Sequence, residues 1–212
     1  MAGYPIFLEL AGKRIIVIGS GSAAVKKIQT LLRAGARVVV IAESIDTLIP
    51  LQSSGANIEL IKSKYSKEYL AGALLVIAFT DRSDLNRQIY KDCQQLEILC
   101  NIADDAEHCD FYLPAVVKRG PLQVAVAAEV SFPAFTGHIR KKLEAVITED
   151  HGRFLDALEN IRRLVTENIS DSDDRKVILG RLADDASFDY FKNNGPEKWK
   201  QFAQKIIEEK DD

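Results

Sequence analysis

Gly19, Gly21 and Ala24, in the stretch "VIGSGSAAVKK", offer the first chemistry this sequence could do. The Gly-x-Gly-x-x-Ala spacing follows an apolar run and opens a helical one. In that setting Gly19 permits a sharp turn, and Gly21 removes the Cβ that would block a pyrophosphate. Ala24 lets the helix pack close to the strand. Gly19, Ser20, Gly21, Ser22 and Ala23 would then line a phosphate subsite at a helix N-terminus, where free N–H groups and partial positive charge favour an anion. The other reading is a tight turn with no ligand. An NAD site needs a partner for the ribose hydroxyls about 20 positions downstream, and the next apolar run ends "VVVIAES", which offers Glu43, one or two residues later than ideal, or Ser44 as a neutral substitute. Arg37 lies at the start of that run, the wrong end for a 2′-phosphate, so NAD is favoured over NADP.

Further polar residues stand at the ends of later apolar runs. Thr80 and Asp81 follow "VIAF" and could meet a nicotinamide ribose or pyrophosphate, or could form a strand-end turn that caps the next helix through Ser83. Asn101, in "ILCNIA", could hydrogen-bond a cofactor or order its own loop. "HCD" (His108, Cys109, Asp110) has metal-friendly chemistry, but neighbouring side chains in an extended chain point opposite ways, so no metal site is expected there. His138 is a second proton acceptor or a solvated helix residue. Lys118, Arg119, Arg140, Lys141 and Lys142 form a basic group that could pair with a carboxylate-rich ligand or simply face water.

Positioning these residues requires an alternating α/β chain. "KRIIVIG", "ARVVVIA", "NIELIK", "ALLVIAFT" and "ILCNIA" read as short buried strands. Helical patterns fall between them, with Ala24, Ile28, Leu31 and Leu32 on one face of the first, which Gly35 stops. A polar helix-like stretch runs to about Ser54, and Leu85, Ile89 and Cys93 are in register on a later helix. Such alternation implies a parallel sheet with right-handed crossovers, a Rossmann-like domain over residues 1–113. The pattern then changes. Two β-rich runs around Val116 and Val124, joined by "KRGP", and a helix after Pro133 make a small β-rich region over 114–149. Short helices follow over 150–212, with starts at Ser170-Asp171 and Gly195-Pro196.

Composition bounds the rest. The 212 residues carry a net charge of −3, with 47% hydrophobic and 28% charged residues. That balance suits a globular protein and gives no global reason to expect nucleic acid or an acidic membrane surface as a partner. No apolar run approaches the ~18–20 residues of a membrane span, and the N-terminus lacks the charge and apolar core of a secretory signal. Three cysteines without a C-x-x-C pair argue against a disulfide frame and for a reducing compartment, expected to be the cytoplasm.

Taken in order, three stretches resemble the precorrin-2 dehydrogenase/sirohydrochlorin ferrochelatase family, the N-terminal module of siroheme synthases. Pro5, Phe7 and Leu8, then Gly19, Gly21, Ala24 and Lys27, fit its opening and its turn. Thr80, Asp81 and Asn86 fit a second segment. Asn101, Asp104, Phe111, Pro114, Arg119, Pro121 and Leu122 fit a third, and the resemblance extends into "LENIRRLVTENISDSDDRKVILGRL". It implies an NAD-dependent oxidation of the tetrapyrrole precorrin-2 to sirohydrochlorin by a homodimer, with a central dimerisation region and a C-terminal helical domain. Some members also take Fe²⁺ as a substrate and insert it. The resemblance places the catalytic aspartate at Asp104, beside Asp105, and suggests Arg119, His138 and Arg140 as substrate-binding residues.

Two departures stand out. Ser20 replaces a third glycine of the family turn. Further on, "AAEVSFP" replaces a glycine-rich "S-t/s-G-G-x-S-P" loop, with Ala128 for a hydroxyl residue, Glu129 and Val130 for both glycines, and Phe132 for serine. Valine at positive φ is costly, so this loop should have another shape, and Glu129 adds negative charge near a polyanionic substrate. The departure leaves open a chelatase-dominant enzyme or a non-catalytic relative that binds a tetrapyrrole or dinucleotide.

Overall fold

The computed structural model describes residues 3–103, 105–128 and 132–208. Asp104, the expected catalytic residue, and Glu129 and Val130, the replacements in the divergent loop, lie outside the described residues. The chain divides into two compact units, 1–113 and 114–212.

The first unit is built on five parallel strands: β1 (Arg14–Ile18), β2 (Arg37–Ala42), β3 (Ile58–Lys62), β4 (Leu75–Ala78) and β5 (Leu99–Ile102). Their spatial order is β3-β2-β1-β4-β5, so the chain winds outward from β1, then returns to its other side. The register runs Ile18↔Ile41 between β1 and β2 and Ile18↔Ala78 between β1 and β4. The ends of β1 and β4 therefore flank the point where the winding reverses, the crevice in which parallel α/β sheets hold ligands.

Strand composition explains the core. β1, β2 and β4 are almost wholly buried because both faces of the sheet are covered. Ile15, Val17, Val38 and Val40 meet Ala24, Ile28 and Leu31 of helix α1 (Ser22–Arg33) on one face. Ile16, Ile18, Val39 and Ile41 meet Ile89 and Cys93 of α3 (Ser83–Gln95) on the other. Gly35, at φ +78, ends α1 as expected. The stretch up to Ser54 is less regular than its polarity suggested. A 3₁₀ turn, Asp46–Leu48, precedes a single short helix, α2 (Ile49–Ser53). Buried Asp92 of α3 accepts hydrogen bonds from Tyr65 (2.9 Å) and Gln88 (3.1 Å). Burial, reinforced by that carboxylate, pushes the Tyr65 phenol well up.

The second unit begins with an antiparallel hairpin, β6 (Ala115–Arg119) and β7 (Leu122–Val126), turning at Gly120. Helix α4 (Pro133–Val146) lies against it. Helices α5 (Glu149–Asn168), α6 (Ser172–Leu182) and α7 (Asp185–Glu208) close around Trp199, which is 1% exposed, packs edge-on to Phe154 and Phe191, and donates to Ser187 at 2.8 Å. The expected start at Gly195-Pro196 is a break inside α7, where Gly195 takes φ +81. The turns before it, from Asp185, are a helical stretch that no expectation covered; Phe188 and Phe191, three residues apart, share the face that packs on Phe154. Asp171 caps α6 as expected, accepting from the N–H groups of Asp173 and Asp174 at 2.9 Å. Asp171→Ala should lower unfolding stability by about 1 kcal/mol in chemical denaturation, the usual cost of losing an N-cap.

Candidate dinucleotide site

Two glycines in the first turn have different jobs. Gly19 takes φ +107, and a Cβ there would stand 2.3 Å from the Phe79 carbonyl oxygen at the end of β4. Only glycine lets β1 and β4 finish this close together. Gly21 is exposed, its φ is −63°, and a Cβ would meet nothing within 4 Å among the described residues. The protein's own packing makes no demand for glycine at Gly21. The cradle above it is open to a ligand that must approach the backbone.

Helix α1 supplies donors to that cradle. No side chain caps it, and its first turn contains no acidic residue. Among the described residues, the N–H groups of Ser22, Ala23 and Ala24 have no protein acceptor, while Val25 N–H already bonds Gly21 C=O at 3.0 Å. Unpaired amides at the start of a helix are an anion site in waiting. A dinucleotide pyrophosphate fits these residues by chemistry and by space.

The end of β2 forms the neighbouring wall. Glu43 and Ser44 are exposed immediately beyond Ala42. The Ser44 hydroxyl donates to Asp46 Oδ2 at 3.2 Å, and Thr47 Oγ1 donates to the Ser20 carbonyl at 3.1 Å, tying this turn to the glycine turn. Sequence reasoning did not single out Asp46 or Thr47, because this link joins residues far apart in the chain through a 3₁₀ turn that has no local signature. Arg37 sits at the far end of β2 and pairs with Glu59 at 3.5 Å.

At the end of β4, the Thr80 hydroxyl donates to the Oδ1 of buried Asn86, whose amide returns a bond to Thr80 C=O at 3.1 Å. The turn is thus closed from within α3 by Asn86 and not through Ser83; α3 has no side-chain cap. Asp81 is exposed and accepts no hydrogen bond among the described residues. Asn101 at the end of β5 is 8% exposed and donates to Phe111 C=O at 2.8 Å, so its amide orders the returning segment. The "HCD" side chains diverge. His108 Nδ1 lies 2.8 Å from Asp105 Oδ2, Cys109 Sγ donates to Ile102 C=O, and Asp110 accepts from Cys100 N–H at 2.9 Å.

The remaining candidates lie in the second unit. Arg119 Nε donates to Ile147 C=O at 3.0 Å and lies 3.2 Å from Glu149 at the start of α5, while its other nitrogens donate to the Lys118 and Glu144 carbonyls. Arg140 pairs with Glu144 one turn along the same helix. His138 is exposed and has no partner among the described residues. Gly152, which no sequence motif marked, is where α5 crosses the hairpin; a Cβ there would lie 2.4 Å from Arg119 C=O.

A parallel sheet, a glycine turn at its switch point and unpaired helix amides define a Rossmann-type dinucleotide-binding protein. A family model described as NAD(P)-binding matches residues 6–115, and the chain belongs to that family. It is 33% identical over 172 residues to a siroheme synthase of Photorhabdus laumondii, covering 81% of this chain and 37% of that protein. It is 34% identical over 189 residues to a siroheme synthase of Chromobacterium violaceum, covering 87% and 40% respectively. The chain therefore spans well under half the length of these relatives. Its fold matches the solved structure of SirC, precorrin-2 dehydrogenase, with a TM-score of 0.79 over 96% of this chain and 100% of that one, at 21% identity.

Proposed function

We propose that this chain oxidises precorrin-2 to sirohydrochlorin with NAD⁺. The observation that carries this reading is the glycine turn, with its open space at Gly21 and unpaired amides on α1, in a chain whose relatives are named siroheme synthases. The reaction removes two hydrogens from the macrocycle, one as hydride and one as proton, and the bound nicotinamide supplies the hydride acceptor. The chain's residues bind, orient and take up the proton. The amides of Ser22, Ala23 and Ala24 hold pyrophosphate, Glu43 and Ser44 hold the adenosine ribose, and Thr80 and Asp81 border the nicotinamide end. Asp104 is the proton acceptor. Asn101 acts by fixing the segment on which Asp104 is carried.

His138, Arg140 and Arg119 are the positions for substrate carboxylates, which compete there with Glu144 and Glu149 for the two guanidinium groups. The three-part division into 1–113, 114–149 and 150–212 is part of this reading. Phe132, Phe135 and Val146 are more than half exposed, and α4 buries none of its described residues. An apolar surface of that kind supports a homodimer built through 114–149. No described helix is long and apolar enough to cross a membrane; the proposed setting is the cytoplasm. Fe²⁺ insertion belongs to this reading only as a second activity on the same product.

One anaerobic assay tests it. Precorrin-2 and NAD⁺ should give NADH and the sirohydrochlorin spectrum in equal amounts, and Fe²⁺ added afterwards reads out any chelation. Folded protein that yields neither product overturns the proposal. Metal insertion into supplied sirohydrochlorin, without NADH formation from precorrin-2, would assign the chain to chelation, and tight binding without turnover would assign it to carriage.

A further inference from the structure

Cys109 and Asp110 are neighbours where the chain returns from β5, and Cys109 is extended, with φ −134 and ψ 126. Adjacent side chains in an extended chain point opposite ways, and these two take different partners. Asp110 engages the edge of β5 that faces away from β4. Its N–H donates to the Cys100 carbonyl at 2.8 Å, and its Oδ2 accepts from Cys100 N–H at 2.9 Å. The carboxylate thus stands in for a neighbouring strand. Gln94, in the last turn of α3, donates to both of its oxygens, at 3.0 and 3.1 Å. Cys109 engages the loop instead. Its Sγ lies 3.3 Å from Ile102 C=O and 3.1 Å from Asp105 C=O, the two carbonyls that bracket Ala103 and Asp104 in the chain. Burial pushes the Cys109 thiol above its usual range, which keeps it an S–H donor. The flanking backbone is tied as well: Ala103 N–H donates to Ala78 C=O at 2.9 Å, and Asp105 N–H to Ile102 C=O at 3.3 Å.

We infer that Asp110 and Cys109 are positioning residues for the oxidation, clasping the segment that carries Asp104 to β5 and α3. Asp110 fixes the foot of the loop from the strand edge and the helix end. Cys109 ties the loop across its interior. A displacement of about 1 Å at a reacting group costs about 10²-fold in rate, so contacts that hold this segment govern the chemical step. The clasp is at the β5 edge of the sheet, and β4 separates it from the strand that ends in the glycine turn. Its loss therefore leaves dinucleotide affinity alone. This inference rests on the reading of Asp104 as the proton acceptor.

Steady-state kinetics of precorrin-2 oxidation by the full chain test it, with ADP-ribose titration as the control for folding and cofactor binding. Asp110→Ala should lower kcat by about 10–10²-fold and keep the ADP-ribose affinity and the Michaelis constant for NAD⁺ close to wild type. Asp110→Asn retains an acceptor for Cys100 N–H and should recover most of the lost turnover. Cys109→Ser retains a donor and should outperform Cys109→Ala. The sharpest variant combines Asp110→Ala with Asp104→Asn. A residue that acts through Asp104 adds almost no further loss once Asp104 is replaced, whereas a general loosening of the fold multiplies the two losses. Should Asp110→Ala fold poorly, Gln94→Ala, at an exposed position, should show the same pattern at smaller size. Full multiplication of the losses, or an unchanged kcat in Asp110→Ala, overturns the positioning role. Undiminished turnover in Asp104→Asn overturns the acceptor reading, and wild type that forms no NADH overturns the proposed function. Each of these last two removes what the clasp would position, and each is distinct from a multiplied loss.

Discussion

Gly21→Ala should unfold within about 1 kcal/mol of wild type, the usual cost of alanine in place of a good N-cap residue, yet it should lose most of its affinity for ADP-ribose. Gly19→Ala should lose both affinity and stability. The two substitutions add the same methyl group to the same turn, and the surroundings separate them. At Gly21 the backbone is already in a region open to any residue, and the added Cβ meets no atom of the described residues within 4 Å. The only thing it obstructs is a ligand drawn against the amides of α1. At Gly19 the methyl would have to sit at φ +107 and 2.3 Å from the Phe79 oxygen. Strain of about 1–3 kcal/mol for the backbone adds to about 1–3 kcal/mol for overpacking, and relief requires the ends of β1 and β4 to separate. Denaturant midpoints and ADP-ribose titrations on the two variants read this directly. Equal loss of stability in both, or undiminished binding in Gly21→Ala, would show that the turn is a packing device alone.

That contrast also marks how far the sequence reaches. β-branched runs, helix periodicity and the glycine at the end of α1 fixed a parallel α/β unit, because each is a local signal that burial on both sheet faces reinforces. The cap on α6 was equally legible, since an aspartate before a helix has one dominant use. Signals fail where contact depends on elements distant in the chain. Asn86 closes the Thr80 turn, and Thr47 reaches Ser20, through geometry that exists only once the strands are in register. Gly152 likewise reads as a weak helix residue until α5 is seen crossing the Arg119 carbonyl. Arg119 shows the converse. As a basic residue in a motif it suggests an anionic ligand, yet each of its guanidinium nitrogens already donates to a backbone carbonyl, two of them at the end of α4.

Asp104→Asn should bind ADP-ribose like wild type and lose turnover by about 10²–10⁴-fold, the range expected when a positioned proton acceptor is removed. Several other carboxylates of the first unit are already engaged. Asp105 is bound to His108 at 2.8 Å, and His108 in turn packs edge-on to Tyr90, with ring centroids 4.9 Å apart. Asp110 accepts from Cys100 N–H and from Gln94. Asp84 holds Arg82, whose hydrogen bond keeps the Asp84 carboxyl below the usual carboxylate range. Each of these groups is occupied holding the loops together, and a carboxylate held in a pair is a poor acceptor for a substrate proton. Asp105→Asn should therefore keep near-wild-type turnover and lose at most about 1 kcal/mol of stability, the scale of one partly exposed side-chain hydrogen bond. Asp81, exposed and accepting no hydrogen bond among the described residues, is the rival. Asp81→Asn should alter the Michaelis constant for NAD⁺ more than the turnover number, because the proposed dinucleotide site has Asp81 bordering the nicotinamide end. Should Asp81→Asn abolish turnover while Asp104→Asn retains it, the acceptor lies at the end of β4 and the chemistry moves one strand inward across the sheet.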